Sequence, residues 1–441
     1  MKSIKIIKAR SLRGEITPPP DKSISHRAVM FASIAKGESI IRNFLMAEDP
    51  ISTMNAFLSM GIEIEEVNKN EGTADLIVQG KGLYGLKEPL DVIDCGNSGT
   101  TARLISGILS GNPFFSVLTG DDSLKQRPMA RIINPLKEMG AIIHGRGNDR
   151  YLPLAIKGKT LNPIDYTMPV ASAQVKSCLI LAGLYAEGIT TIHEPQRSRD
   201  HTERMLKAMG AEIIVEDLSI KVTGLKGSRI GELNPIDITI PSDFSSASFF
   251  LVGALIVPDS EITTKNVCIN PTRTGLLEVI KEMGGEIRIE NTRLISGEPV
   301  ADIYCKSTGD LKAIKINPDI VPSLIDEFPI LCILATQAEG ITEIRGAQEL
   351  RVKESDRIKA MTTELRKLGV EIEEYPDGIA IKGKAILKGC EVETYNDHRI
   401  AMSLSIAGLI AEGDTIVNNH ECIDISFPGF FSTLDHLISM V

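Results

Sequence analysis

The sequence predicts a mixed α/β protein of two lobes, each holding three copies of one supersecondary unit. Three observations carry that prediction. Six times a short polar cluster runs straight into an apolar stretch of helix length. Five times a second amphipathic segment ends in Met-Gly or Leu-Gly and passes into an alternating strand. Two Pro-marked extended stretches, Glu15-Ile16-Thr17-Pro18-Pro19-Pro20 and Asp237-Ile238-Thr239-Ile240-Pro241, divide the copies three and three, because proline disfavours helix in the residue before it and stiffens a connection. Cutting there gives one lobe over 21–240 and another over 241–441 plus 1–20, with two crossings, a hinge and a cleft between the lobes.

The six helix starts are Asp21-Lys22-Ser23-Ile24-Ser25-His26-Arg27, Asn97-Ser98-Gly99-Thr100-Thr101-Ala102-Arg103, Ala171-Ser172-Ala173-Gln174-Val175-Lys176, Pro241-Ser242-Asp243-Phe244-Ser245-Ser246, Leu324-Ile325-Asp326-Glu327 and Asn396-Asp397-His398-Arg399. Ser, Asn and Asp satisfy the free backbone N–H groups of a first helical turn. Such an end also carries partial positive charge, so it binds phosphate or carboxylate readily. The second segments end at Met60-Gly61, Met139-Gly140, Met209-Gly210, Met283-Gly284 and Leu368-Gly369. Each glycine is a helix C-cap, and the alternation after it has the period of a strand. Copies recur roughly every 70–85 residues, far longer than a solenoid repeat. The sixth copy runs out at Ile438-Ser439-Met440-Val441, where its strand is due. The alternating opening Ile4-Lys5-Ile6-Ile7-Lys8-Ala9 supplies the missing strand, so both termini belong to one domain.

At 441 residues and 43% hydrophobic composition the chain has ample material for two or three cores. A net charge of −10 argues against general affinity for nucleic acid or membrane surfaces. The cations inside the polar clusters run against that balance. The seven cysteines are odd in number, without a CxxC pair or metal-ligand spacing, which fits core packing in a reducing compartment. No signal-peptide core opens the chain, and the longest apolar run, 249–257, is far short of a bilayer span. The expectation is a cytoplasmic monomer acting on small molecules, without metal or cofactor. No P-loop, dinucleotide fingerprint or nucleophile elbow is present.

Chemistry concentrates at a few places. Ser23 and Arg27 share a helix face beside Lys22, and cations in a first turn oppose the helix dipole unless an anion arrives. Arg127 is held by the loop running from Leu118 into Pro128, and a guanidinium suits carboxylate or phosphate; an ordinary turn with a surface arginine is the other reading. Ser172, Gln174 and Lys176 open an apolar helix, where Ser172 is either an anion contact or a plain cap. Asp200 and Glu203 have capping-box spacing, leaving Arg199 just outside. Arg351-Val352-Lys353-Glu354-Ser355-Asp356-Arg357 places Lys353 and Arg357 on one helical face with Glu354 beside them, as an anion site or a salt-bridged surface helix. Asp326 and Glu327 are either functional or dipole-complementing caps.

Taken together, Asp-Lys-Ser-Ile-Ser-His-Arg at 21–27, Gly-Asn-Ser-Gly-Thr-Thr-Ala-Arg at 96–103, Gln-Arg-Pro-Met at 126–129, Ser-Ala-Gln-Val-Lys-Ser at 172–177, Arg-Asp-His-Thr-Glu at 199–203, Leu-Arg-Val-Lys-Glu-Ser-Asp-Arg at 350–357 and Asn-Asp-His-Arg at 396–399 resemble the 5-enolpyruvylshikimate-3-phosphate synthase family. The resemblance spans nearly the whole chain, in order. It implies an inside-out α/β barrel in each of two domains, three βαβαββ units per domain, and an active site in the interdomain cleft. It also implies transfer of the enolpyruvyl group of phosphoenolpyruvate to the 5-hydroxyl of shikimate 3-phosphate. Carried over by motif, Lys22, Asn97, Gly99, Arg127, Arg357 and Arg399 hold phosphoenolpyruvate. Lys22, Ser23, Arg27, Ser172, Ala173, Gln174, Arg199, Asp326 and Lys353 hold shikimate 3-phosphate. Asp326 is the expected base toward the hydroxyl, and Glu354 with Lys22 serves the methylene carbon.

Three positions depart from one branch of that family. Ser172-Ala173 replaces a pair of serines, Ile425 replaces a lysine on the phosphoenolpyruvate, and Gly99 is small where some relatives carry an alanine that crowds the glyphosate site. The rival reading is the sister enzyme that moves the same group to UDP-N-acetylglucosamine. It lacks the Lys-Ser-x-Ser-x-Arg opening and uses a loop cysteine absent from 121–127 here.

Overall fold

The computed structural model describes residues 2–439; Met440 and Val441, at the expected end of the sixth copy, lie outside them. The chain forms two compact units, one of Pro20–Ile240 with Ile295–Gly297 and one of Met1–Pro19, Pro241–Leu294 and Glu298–Val441. Pro20 and the short Ile295–Gly297 tip thus fall on the opposite side from the boundaries read off the prolines.

In the Pro20–Ile240 unit each repeat makes one four-stranded sheet with the same order. The second repeat shows it most simply. Ile93–Asp94 runs parallel to Phe115–Thr119, which pairs antiparallel with Tyr151–Lys157, and Ile142–Gly145 closes the far edge. Along Tyr151–Lys157, Leu152, Leu154 and Ile156 are buried and alternate with more exposed residues, the period-2 signature of a sheet wet on one face. The third repeat repeats this with Asp165–Thr167, Ile189–His193, Ser219–Thr223 and Ile213–Glu216.

The first repeat takes its parallel edge strand from the far end of the unit. Asp237–Thr239 pairs with Lys36–Leu45. The other unit does the same with Arg13–Ile16, which pairs parallel to Glu261–Cys268. Both Pro-marked connections therefore carry an edge strand ahead of the linker: the strands end at Ile16 and Thr239, and the prolines follow at 18–20 and 241, outside the ladder. In the sixth repeat Ser3–Ile6 pairs antiparallel with Thr415–Asn418, so the start of the chain completes a sheet near its end.

The first helix of each repeat is almost wholly buried. In the second unit Phe244–Ile256, Phe328–Gln337 and His398–Gly408 pack on one another. In the first, Lys22–Ile34, Gly99–Gly111 and Ala173–Leu184 do so. Side chains buried around the circumference, mostly apolar past the first turn, leave these helices almost no solvent face, so helices occupy the middle of each unit and sheets the outside. The second helix of five repeats ends at Met60, Met139, Met209, Met283 or Leu368, and the following Gly61, Gly140, Gly210, Gly284 and Gly369 have φ between 82° and 93°. Only glycine adopts that left-handed turn at no steric cost. Six of the seven cysteines are buried, Cys390 is half-buried, and all are free thiols. Among the described residues no helix is long and apolar enough to cross a membrane.

Candidate active site

Five of the six helix starts are capped by a side chain as the sequence suggests: Asp21 on the Ile24 amide, Ser98 on Thr101, Ser172 on Val175, Asp243 on Ser245 and Ser246, and Asp397 on Arg399. The fifth differs. Helix Phe328–Gln337 begins after Glu327, which makes no side-chain cap, and Asp326 lies between it and the short helix Val321–Leu324. Glu327 holds the N-cap position without a capping hydrogen bond, and both carboxylates make tertiary contacts.

Within the Pro20–Ile240 unit the three helix starts are laced together by polar side chains. Arg27 is buried, with Nη1 donating to the Ser23 carbonyl at 2.9 Å, Nε to Thr202 Oγ1 at 2.7 Å and Nη2 to Ser177 Oγ at 2.9 Å. Lys22 Nζ pairs with Asp49 at 3.0 Å. Asn97 clamps the Asp121–Arg127 loop, donating to Asp121 Oδ2 at 2.6 Å and accepting from Arg127 Nη2 at 2.6 Å. Gln174 accepts from Arg103 Nη1 and donates to Thr100 Oγ1 at 3.0 Å. A Cβ built on Gly99 would lie 3.0 Å from Arg103 Nη1 and 3.5 Å from Arg127 Nη1, so the missing side chain leaves two guanidinium groups room beside a helix N-terminus. Ser172 and Ala173 stand half-buried at the third start.

Beneath these groups runs a buried chain of hydrogen bonds. His26 Nδ1 meets Thr53 Oγ1 at 2.6 Å, Thr53 meets Thr101 Oγ1 at 2.6 Å, and Thr101 donates to Ser98 Oγ at 2.7 Å. Burial first, then the charges of Lys22 and Arg27, holds the His26 pKa well below its ordinary value. The imidazole is neutral and structural. Arg199 is half-buried in a loop fixed from below by Lys176, whose Nζ donates to the Ser198 carbonyl at 3.2 Å and pairs with Glu194 at 2.9 Å and Glu203 at 2.7 Å. Glu203 is thus committed to Lys176, and Asp200 makes no side-chain cap but accepts from Arg204 Nε at 2.9 Å. The expected capping box does not form, because a buried lysine competes more strongly for the glutamate than a backbone amide does. Burial pushes the Glu203 pKa up, opposed by Lys176.

In the other unit Asp326 is the hub. Its Oδ1 lies 3.6 Å from Arg357 Nη1 and 3.9 Å from Lys353 Nζ, and its Oδ2 lies 3.8 Å from Arg399 Nη2. Arg357 Nη2 donates to Glu354 Oε2 at 2.8 Å and Nε to Asp397 Oδ2 at 2.8 Å. Burial alone would lower the Arg357 pKa, but the Asp397, Glu354 and Asp326 carboxylates outweigh it and hold the guanidinium above its ordinary value. Lys353 is extended and the helix begins only at Arg357, behind an Asp356 cap on the Lys359 amide. Lys353 and Arg357 therefore do not share a helical face; they meet through Asp326. Asp397 is placed by a left-handed turn at Tyr395 and Asn396, φ 55° and 56°. Glu364 holds that turn, accepting from Tyr395 Oη at 2.7 Å and the Glu393 amide at 3.0 Å. Ile425 is buried in the apolar core and brings no cation.

Sequence reasoning gave no role to Asp49, Arg103 or Arg273, and named Lys176 and Glu327 only as residues of a helix start. Arg103 carried a signal, since it closes the motif at 96–103. The others are tertiary partners from distant segments. Chemically, each unit presents helix N-termini and arginine or lysine groups suited to phosphate and carboxylate. Of the carboxylates that stand among the cations of the second unit, those of Asp326 and Glu354 are partly open, with side chains 11% and 21% exposed, whereas those of Asp397 and Glu327 are closed off at 0% and 1%. This is an arrangement for holding anions and moving protons beside them.

Residues 6–434 match the family described as EPSP synthase (3-phosphoshikimate 1-carboxyvinyltransferase). A curated 3-phosphoshikimate 1-carboxyvinyltransferase from Thermodesulfovibrio yellowstonii is 60% identical over 432 residues, covering 98% of this chain and 99% of its own. One from Geotalea uraniireducens is 51% identical over 438 residues, covering 99% and 100%. The solved EPSP synthase from Acinetobacter baumannii superposes with a TM-score of 0.86 at 44% identity, covering 99% of this chain and 98% of that one. Motif order, repeat architecture and full-length similarity agree: the chain belongs to the EPSP synthase, or 3-phosphoshikimate 1-carboxyvinyltransferase, family.

Proposed function

We propose that this protein transfers the enolpyruvyl group of phosphoenolpyruvate to the 5-hydroxyl of shikimate 3-phosphate and releases phosphate, a step of the shikimate pathway toward chorismate and aromatic amino acids. The observation that carries this reading is the Asp326 carboxylate standing within 4 Å of Lys353, Arg357 and Arg399, with Glu354 bound to the same Arg357. Both substrates are multiply anionic. At an effective dielectric near 20, each cation about 4 Å from an anion is worth about 4 kcal/mol before desolvation.

Lys22, Asn97, Gly99, Arg127, Arg357 and Arg399 hold phosphoenolpyruvate in this assignment. Ser23, Arg27, Ser172, Ala173, Gln174, Arg199, Asp326 and Lys353, with Lys22, hold shikimate 3-phosphate. The assignment requires residues of both units to act on one pair of substrates. Asp326 accepts the proton of the 5-hydroxyl as its oxygen attacks the substituted vinyl carbon, while Glu354, helped by Lys22, protonates the methylene carbon. The tetrahedral adduct then loses phosphate as a methyl proton returns to Glu354. Arg and Lys charges stabilise the leaving group.

Transfer to UDP-N-acetylglucosamine is disfavoured, because Lys22, Ser23 and Arg27 form the Lys-Ser-x-Ser-x-Arg start that the sister enzyme lacks. The test is phosphate release from phosphoenolpyruvate by purified protein. Shikimate 3-phosphate should support turnover and UDP-N-acetylglucosamine should not; the reverse result would overturn the substrate assignment.

A further inference from the structure

The fourth helix start, Pro241–Ser246, has no substrate to hold in the assignment above, yet it opens onto a tightly linked polar cluster. Asp243, Ser245, Arg273 and Glu327 are all buried, and Arg273 is only 1% exposed. Arg273 Nη2 donates to Ser245 Oγ at 2.7 Å and lies 3.4 Å from Asp243 Oδ1. Ser245 Oγ in turn donates its single proton to Glu327 Oε1. That same Oε1 is 3.8 Å from Arg399 Nη1, which donates to the Asp326 carbonyl at 3.2 Å, while Nη2 faces the Asp326 carboxylate. The path runs Arg273, Ser245, Glu327, Arg399, Asp326, and it crosses the starts of all three core helices of its unit.

Nothing about stability demands it. Buried ionic networks can be replaced by packed apolar side chains at little or no cost, and their best-attested use is to specify one arrangement among several. What this one specifies is the orientation of Arg399. A guanidinium is a planar fork, and its usefulness to an anion depends on which edge is already committed to the protein.

We propose that Arg273, Ser245 and Glu327 are positioning residues for the transfer reaction: they act through Arg399, fixing its guanidinium against Asp326 so that its remaining donors meet phosphoenolpyruvate. The inference rests on the assignment of Arg399 to phosphoenolpyruvate. Ser245 is the coupling atom, since its hydroxyl accepts from Arg273 and donates to Glu327, and its removal uncouples the relay without changing any charge.

The experiment is steady-state kinetics and thermal melting of the purified full-length Ser245→Ala, Glu327→Gln and Arg399→Lys variants and of the Ser245→Ala/Arg399→Lys double variant. Losing one hydrogen bond to a charged group predicts a rise of about tenfold in the phosphoenolpyruvate KM for Ser245→Ala, which changes no charge, and a smaller rise for Glu327→Gln, because removing a negative charge 3.8 Å from Arg399 partly offsets the lost anchor. The shikimate 3-phosphate KM should change less than about twofold. Because the relay works through Arg399, Ser245→Ala should add less than about twofold once Arg399 is lysine. Should Glu327→Gln fail to fold, the charge-neutral Ser245→Ala carries the test. A lower melting temperature with both KM values unchanged would make the cluster structural only and overturn the proposal, as would effects that multiply fully in the double variant. An Arg399→Lys variant with an unchanged phosphoenolpyruvate KM would instead overturn the assignment of Arg399, a separate and distinguishable failure.

Discussion

Asp326→Asn is the substitution from which most can be learned, because it keeps the shape of the side chain and removes only its charge and basicity. Three cations at 3.6, 3.8 and 3.9 Å now share that carboxylate, each interaction worth about 4 kcal/mol at an effective dielectric near 20 before desolvation. Asparagine leaves Lys353, Arg357 and Arg399 with one counter-charge fewer. The local potential becomes more positive, and an anion about 7 Å from the lost charge gains about 2 kcal/mol of attraction by the same arithmetic. Phosphoenolpyruvate affinity should hold or tighten. Loss of the base acts on the other side of the ledger: a positioned proton acceptor contributes about 10²–10⁴ in rate, so turnover should fall by that factor. Shikimate 3-phosphate affinity should weaken by no more than about tenfold, the loss of one charge-assisted hydrogen bond. The chain contains no tryptophan, so affinities are best measured by isothermal titration calorimetry and turnover by phosphate release. Turnover within about threefold of the parent, below the floor for general-base catalysis, would refute Asp326 as base. A collapse of phosphoenolpyruvate binding would refute the electrostatic reasoning.

Glu354→Gln should lower turnover by at least about a hundredfold while both substrates still bind by calorimetry. Gly99→Ala places a methyl group 3.0 Å from Arg103 Nη1 and 3.5 Å from Arg127 Nη1, so the phosphoenolpyruvate KM should rise with little change in melting temperature. Lys176→Met leaves Glu194 and Glu203 buried without their shared cation and should cost about 3–5 kcal/mol by urea unfolding, with partial recovery when Glu203 is also made Gln. The folded-state pKa of His26 is depressed, so the unfolded chain binds the extra proton. Its contribution to stability is complete above about pH 6.5 and lost as pH falls below that, with a slope of up to about 1.4 kcal/mol per unit. A His26→Gln variant should lose that part of the slope, read as the difference between the two unfolding profiles between pH 7.5 and 5.

The parts of this molecule legible in the sequence are those set by neighbours in the chain. Helix caps such as Asp21, Ser98 and Asp397 depend on a side chain reaching an amide two or three residues on, and the glycines after Met60, Met139 and Met283 on one backbone angle. The parts that were misread are decided by distant partners. Glu203 leaves its capping box for Lys176, and Lys353 and Arg357 meet through Asp326 rather than along a helix. The extended backbone near both prolines was legible, but the pairing of Arg13–Ile16 and Asp237–Thr239 as edge strands is set by the neighbouring sheet. Arg273 and Glu327 were invisible as a pair. They lie 54 positions apart, and only the packing of three helix starts brings them to one serine.

Addition followed by elimination, with Glu354 giving a proton to the methylene carbon and taking one back from the resulting methyl group, is tested most directly by running the reaction in D₂O and measuring deuterium in the vinyl methylene of the product by mass spectrometry. The account predicts deuterium there, incorporated only in turnover and lost in step with activity in the Glu354→Gln variant. Phosphate release that yields product with an entirely protiated methylene would contradict it.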